Sequence, residues 1–235
     1  MPDINDFVAG LKIALKNDGV ITMEFPHLMR LIEENQFDTI YHEHFSYLSF
    51  HTVCRIFARH GLAIFDVEEL PTHGGSLRIY ARHDNDNSKP VTPNVVELLE
   101  KEAAREMLTL DYYLNFQQKV DKVKYALVSF LMEQKKAGKK VAAYGAAAKG
   151  NTLLNYCGVK KDLIEFVVDA LPHKQSMFLP GSHIPVVKED EIKKLKPDYV
   201  LILPWNIKDE IMEQLSYIRD WCGRFVVAVP NLKMV

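Results

Sequence analysis

The sequence predicts an α/β protein, and three observations carry that prediction. Between Lys140 and Val229 short runs of Val, Ile and Ala alternate with helical stretches, the pattern of a parallel sheet covered by helices. Ahead of that region, from Asn94 to about Lys136, apolar residues recur three or four positions apart, which is a helical stripe. Earlier still, a helix, a strand, a helix and a pair of strands follow one another before His83.

In order, Asp3 to Lys16 has helical spacing, with Asp3 or Asn5 as N-cap, and Asn17-Asp18-Gly19 ends it. Val20 to Phe25 reads as a buried strand stopped by Pro26, and His27 to Glu34 as a short helix. Thr52 to His60 is helical, with Gly61 placed to terminate it. Leu62 to Val67 and Ser76 to Arg82 form an antiparallel pair whose loop holds Pro71 and Gly74-Gly75; His73 and Arg78 either reach a ligand there or only flank a turn. Asp84 to Pro93 is a polar linker. The stripe beyond it is one long helix, or two meeting near Phe116. Strands at Lys140–Tyr144, Ile164–Val168, Asp198–Leu203 and Arg224–Val229, with helices from about Asn151 and over Ile207–Tyr217, complete the chain. The expected domains are 1–83, a linker and helical segment at 84–137, and a Rossmann-like domain at 138–235.

The chain has 235 residues, 48% of them hydrophobic, with 29 basic against 31 acidic side chains. This is an ordinary soluble composition whose charge balance gives no sign of a nucleic-acid partner, while local lysines leave room for a small anionic ligand. Cys54, Cys157 and Cys222 are too scattered for a disulfide framework or a paired-cysteine zinc motif, so a reducing, cytoplasmic setting is the simplest expectation. No signal-peptide pattern and no apolar run of about 20 residues predicts a membrane partner.

Two stretches carry chemistry. Tyr41-His42-Glu43-His44 places a phenol, two imidazoles and a carboxylate in successive positions. They are half-buried packing residues, metal ligands with His51 nearby, or a base with its orienting neighbours; the spacing matches no standard zinc motif. The second stretch, Gly145-Ala146-Ala147-Ala148-Lys149-Gly150, follows a strand at the spacing of a dinucleotide fingerprint whose middle glycine is replaced by Ala147. Asp169 stands 24 residues after Gly145, near the position of a ribose-binding acid. Either Gly145, Lys149, Gly150 and Asn151 hold a phosphate at a helix start, or the stretch is a tight turn without a ligand. Lys174 and His183 lie in a Pro-rich loop long enough to fold over a ligand.

The first stretch with its flanks, Glu24-Phe25-Pro26-His27-Leu28 and Asn35-Gln36-Phe37-Asp38-Thr39-Ile40, resembles the S-adenosylmethionine (SAM)-dependent sugar C-methyltransferases of deoxysugar pathways. The resemblance continues through His73-Gly74-Gly75-Ser76-Leu77-Arg78, Tyr144 to Thr152 and Pro180 to Val186, in the family's order over most of the chain. It implies that the first region is the end of a SAM-methyltransferase sheet and that the chain matches only the carboxyl-terminal part of such an enzyme. The SAM-binding loop and a Cys-rich zinc motif precede that part in the family and are missing from this sequence. It also implies His44 as base, Glu43 and Tyr41 as its neighbours, a dTDP-linked keto-deoxysugar held by the second half, and a separate SAM-binding chain or a truncation. Other readings are a non-catalytic sugar-nucleotide-binding module and an NAD-dependent oxidoreductase.

Overall fold

The computed structural model describes residues 3–235. The chain divides into two compact units, one formed by the residues up to Glu34 together with His42–Phe116, the other by Asn35–Tyr41 and Gln117–Val235.

The first unit opens with α1 (Ile4–Ala14), where Asp3 accepts from the backbone N–H groups of Asn5 and Asp6 at 2.9 and 3.1 Å. This is the N-cap that a short acceptor side chain provides. β1 (Ile21–Pro26) runs through Pro26, whose partner is Ser76, and leads into α2 (Leu28–Glu33). α3 (Phe50–Arg59) begins at an N-cap, Ser49, and is followed by Gly61 in the left-handed region at φ 67°. β2 (Leu62–Leu70) and β3 (Ser76–His83) are antiparallel, and β3 sits between β1 and β2 in a three-stranded sheet. β1 and β2 therefore both end where β3 begins.

The helical stripe breaks into three pieces: α4 (Pro93–Ala104), α5 (Asp111–Leu114) and α6 (Phe116–Lys136). Pro93 occupies the first turn of α4, where its missing N–H costs nothing. Val95 and Leu98 of α4 enter the same core as Phe50, Phe57, Leu62 and Ile79, so this helix belongs to the first unit.

The third buried residue of α4 is an acid. Glu102 is 1% exposed and accepts from Phe50 N at 2.6 Å and His51 N at 2.9 Å, the first amides of α3. Its Oε1 also lies 2.7 Å from Nε2 of His27, itself 1% exposed. A carboxylate only accepts, so Nε2 carries the proton in this pair. Burial raises the Glu102 carboxyl, but the bonds from His27 and from the two amides outweigh it and hold it below the ordinary carboxylate range.

The second unit has a six-stranded sheet in the order β6-β5-β4-β7-β8-β9. β4 (Val141–Tyr144), β5 (Val167–Val168), β6 (Val186–Val187), β7 (Tyr199–Ile202) and β8 (Arg224–Val227) are parallel, and β9 (Lys233–Met234) is antiparallel at the edge. α7 (Ala148–Cys157) follows β4, α8 (Asp190–Leu195) follows β6 and α9 (Lys208–Gln214) follows β7. The chain winds outward from β4 in one direction and from β7 in the other, the doubly wound plan expected from the alternation. Two expected elements differ. The strand at Ile164–Val168 shrinks to Val167–Val168, and α7 starts at Ala148 rather than Asn151, because Gly145 turns the chain at once.

Glu102→Ala should destabilise the chain by about 3 kcal/mol or more, because it strands three buried donors, whereas Glu102→Gln should cost less. Urea unfolding of both variants checks this; equal midpoints for Glu102→Ala and wild type would refute it.

Candidate active site

The Tyr-His-Glu-His stretch lies in a loop between a 3-10 turn at Phe37–Thr39 and α3. Tyr41 to Glu43 form a bend and turn rather than extended strand, so strict alternation of faces does not apply. Tyr41 groups with the second unit, and His42, Glu43 and His44 with the first. His42 and Glu43 are exposed, while Tyr41 and His44 are half-buried. The His44 ring meets the edge of Tyr47, with centroids 6.2 Å apart at 69°. Among the described residues no group of three or more His, Cys, Asp or Glu is placed to hold a metal ion.

In the second unit the switch point of the sheet falls between β4 and β7, where open α/β sheets place their ligand crevice. The turns leaving these strands pack directly on one another. A Cβ on Gly145, at φ 94°, would lie 2.5 Å from Pro204 Cδ, and one on Gly150 would lie 2.6 Å from Leu203 Cβ. Both glycines thus serve the contact of two turns, which leaves no room for a side chain at either position.

Asp169 stands beside this turn, already engaged. Its carboxylate accepts from Ala146 N at 2.7 Å and Leu171 N at 2.9 Å, and Lys174 Nζ lies 3.4 Å from the same oxygen that binds Ala146. Lys174 also donates to Ala146 O at 2.9 Å. Ala146, Asp169, Leu171 and Lys174 are therefore brought together as one network, and Gly145 bonds instead to Val168 O at 2.7 Å. Asn151 joins another segment indirectly: Asn155 Nδ2 donates to Asn151 O and to Pro180 O, both at 2.9 Å. His183 is exposed at φ 56°, its ring 5.8 Å from Phe178.

Lys149, in the first turn of α7, belongs to a cluster that the sequence analysis missed. Its Nζ donates to Asn206 Oδ1 at 2.6 Å and stands 4.7 Å from the centre of the Trp205 ring. Trp205 Nε1 donates to Asp38 Oδ2 at 2.8 Å; Asp38 is fully buried, and its Oδ1 has no partner. Burial pushes the Asp38 carboxyl up to about 6, against the opposing influence of Trp205 and Lys149. Burial also lowers Lys149, against Asp38. The available signal was an acid set between apolar Phe37 and Ile40.

The doubly wound sheet with its tightly packed switch-point turns and the Tyr-His-Glu-His loop occur together on this chain. The chain belongs to the C-methyltransferase family: the family described as C-methyltransferase C-terminal domain matches residues 71–230. Over all 235 residues it is 35% identical to C-methyltransferase NovU of Streptomyces niveus, and it spans 56% of that protein's length. No helix among the described residues is long and apolar enough to cross a membrane.

A carboxyl raised from 3.8 to about 6 leaves the folded state binding more protons than the unfolded chain between those values, so its contribution to stability falls as pH rises through that window. Asp38→Asn keeps an acceptor for Trp205 without the charge. Its stability relative to wild type should therefore rise by roughly 2 kcal/mol between pH 4 and 7 in denaturant titrations. Parallel pH profiles would refute the assignment.

Proposed function

We propose that this chain is the acceptor-side part of a SAM-dependent enzyme that C-methylates a dTDP-linked keto-deoxysugar. The observation that carries the reading is the Tyr41–Tyr47 loop within a chain of the C-methyltransferase family. A carbon beside a ketone becomes nucleophilic once its proton is removed. His44 accepts that proton, and the C–H electron pair passes into the enolate. Tyr41 and Glu43 are assigned to orienting His44 and hydrogen-bonding the reacting groups. The dTDP group is assigned to the second unit, with Gly145, Lys149, Gly150, Asn151, Asp169, Lys174 and His183 as its surroundings.

SAM, when bound, supplies the electrophilic methyl group. The switch-point glycines of the second unit are accounted for by packing against Pro204 and Leu203, and no described residue is assigned to SAM. Donor binding is accordingly assigned to a further portion of the enzyme, joined to this one or carried on a separate chain. The 56% coverage of the relative supports this, as does the outer edge of β1, which pairs with no other strand among the described residues. The exposure of both His42 and Glu43 favours, as second reading, a sugar-nucleotide-binding module without chemistry of its own.

Calorimetric titration of the chain should show binding of dTDP and none of SAM; binding of neither overturns the nucleotide assignment. In the enzyme complete with its donor-binding portion, His44→Asn should lose about 10²–10⁴-fold in methyl transfer at retained dTDP affinity. Unchanged turnover would leave only the binding-module reading.

A further inference from the structure

His27 grips the downstream end of the Tyr-His-Glu-His loop twice. Through its backbone it forms a parallel bridge with Leu48, in which Leu28 N donates to Leu48 O at 3.1 Å, while His27 N donates to Gly75 O at 3.0 Å. Through its side chain it reaches Glu102, whose Oε1 takes the Phe50 amide and whose Oε2 takes the His51 amide. Leu48, Phe50 and His51 are thereby tied to one residue and its partner. Tyr47, the next residue toward the loop, meets the His44 ring edge-on. A short series of contacts thus runs from a buried pair to the half-buried His44, all of it within the first unit.

Stability alone does not call for a histidine and a glutamate at these places. Both are 1% exposed, and His27 Nδ1 is buried with no hydrogen-bond partner. An apolar pair of the same shape would avoid the buried charge and the unpaired nitrogen, and such replacements are often neutral or stabilising. What the carboxylate adds is direction. With one oxygen given to each amide, it fixes how the first turn of α3 is rotated as well as where it lies.

We infer that His27 and Glu102 are positioning residues for the methyl transfer, setting the His44 ring in place through Leu48, the first turn of α3 and Tyr47. Their effect on the reaction rests on the assignment of His44 as base; their effect on the ring does not.

Glu102→Gln separates direction from bulk. A carboxamide has one accepting oxygen and one donating nitrogen, so in either orientation the Phe50 or the His51 amide faces an N–H group, and the start of α3 must turn away. NMR spectra of the isotope-labelled 235-residue chain, covering the His44 and Tyr47 rings, should show the His44 signals displaced in Glu102→Gln and in His27→Leu. His27→Gln, whose amide nitrogen can stand where Nε2 does, should return them most of the way. Val95→Ala, a truncation in the core on the same helix, should leave them in place although it lowers stability. In the enzyme complete with its donor-binding portion, Glu102→Gln should lower kcat about tenfold or more while the KM of the acceptor stays within about twofold. The inference is overturned if the His44 signals of Glu102→Gln stay at their wild-type positions, if Val95→Ala moves them as far, or if kcat is unchanged; Glu102→Gln decides it even if His27→Leu does not fold. Failure of the base assignment has a different sign, unchanged turnover in His44→Asn.

Discussion

The first unit depends on one buried carboxylate. Glu102 draws three donors from two other parts of the chain, His27 after β1 and the first two amides of α3, onto one group of α4. Burying a lone charge is costly, and the geometry answers that cost with hydrogen bonds and with the positive end of a helix. The consequence reaches the chemistry. α3 starts six residues beyond His44, so fixing the amides of Phe50 and His51 fixes the downstream end of the Tyr-His-Glu-His loop.

In the second unit the governing constraint is steric. The turn after β4 and the turn after β7 touch at Gly145 with Pro204 and at Gly150 with Leu203. A glycine pattern that suggests phosphate binding thereby acquires another cause, the close approach of two protein turns. What stays polar at the switch point is carried by side chains, with Lys149, Asn206, Trp205 and Asp38 in one cluster.

Elements with strong local signals were legible in the sequence. The Asp3 cap, the antiparallel strands around Gly74-Gly75 and the parallel strands beginning at Val141, Tyr199 and Arg224 all appear where local pattern places them. The long stripe was less so, because the break between α4 and α6 is made by residues 105–115, whose spacing still looks helical. The network of Glu102 and the cluster of Asp38 were not legible. Glu102 lies 75 positions from His27, and Asp38 lies 167 positions from Trp205. Pairings at such separations leave no local spacing to read; their trace was an acid on a buried helix face in one case and an acid among apolar residues in the other.

These two carboxylates show how burial alone fails to set the state of a group. Both are almost wholly enclosed, yet Glu102 is held below the ordinary range while Asp38 is pushed up to about 6. The difference is the supply of donors. Glu102 has an imidazole and two helix-start amides, enough to outweigh its loss of water, while Asp38 has one indole N–H, a lysine turned toward Asn206 and one oxygen left without a partner. Glu102 is therefore a fixed charge on which the fold of the first unit can rely. Asp38, whose carboxyl burial raises, lies three residues before Tyr41, on the segment that enters the Tyr-His-Glu-His loop.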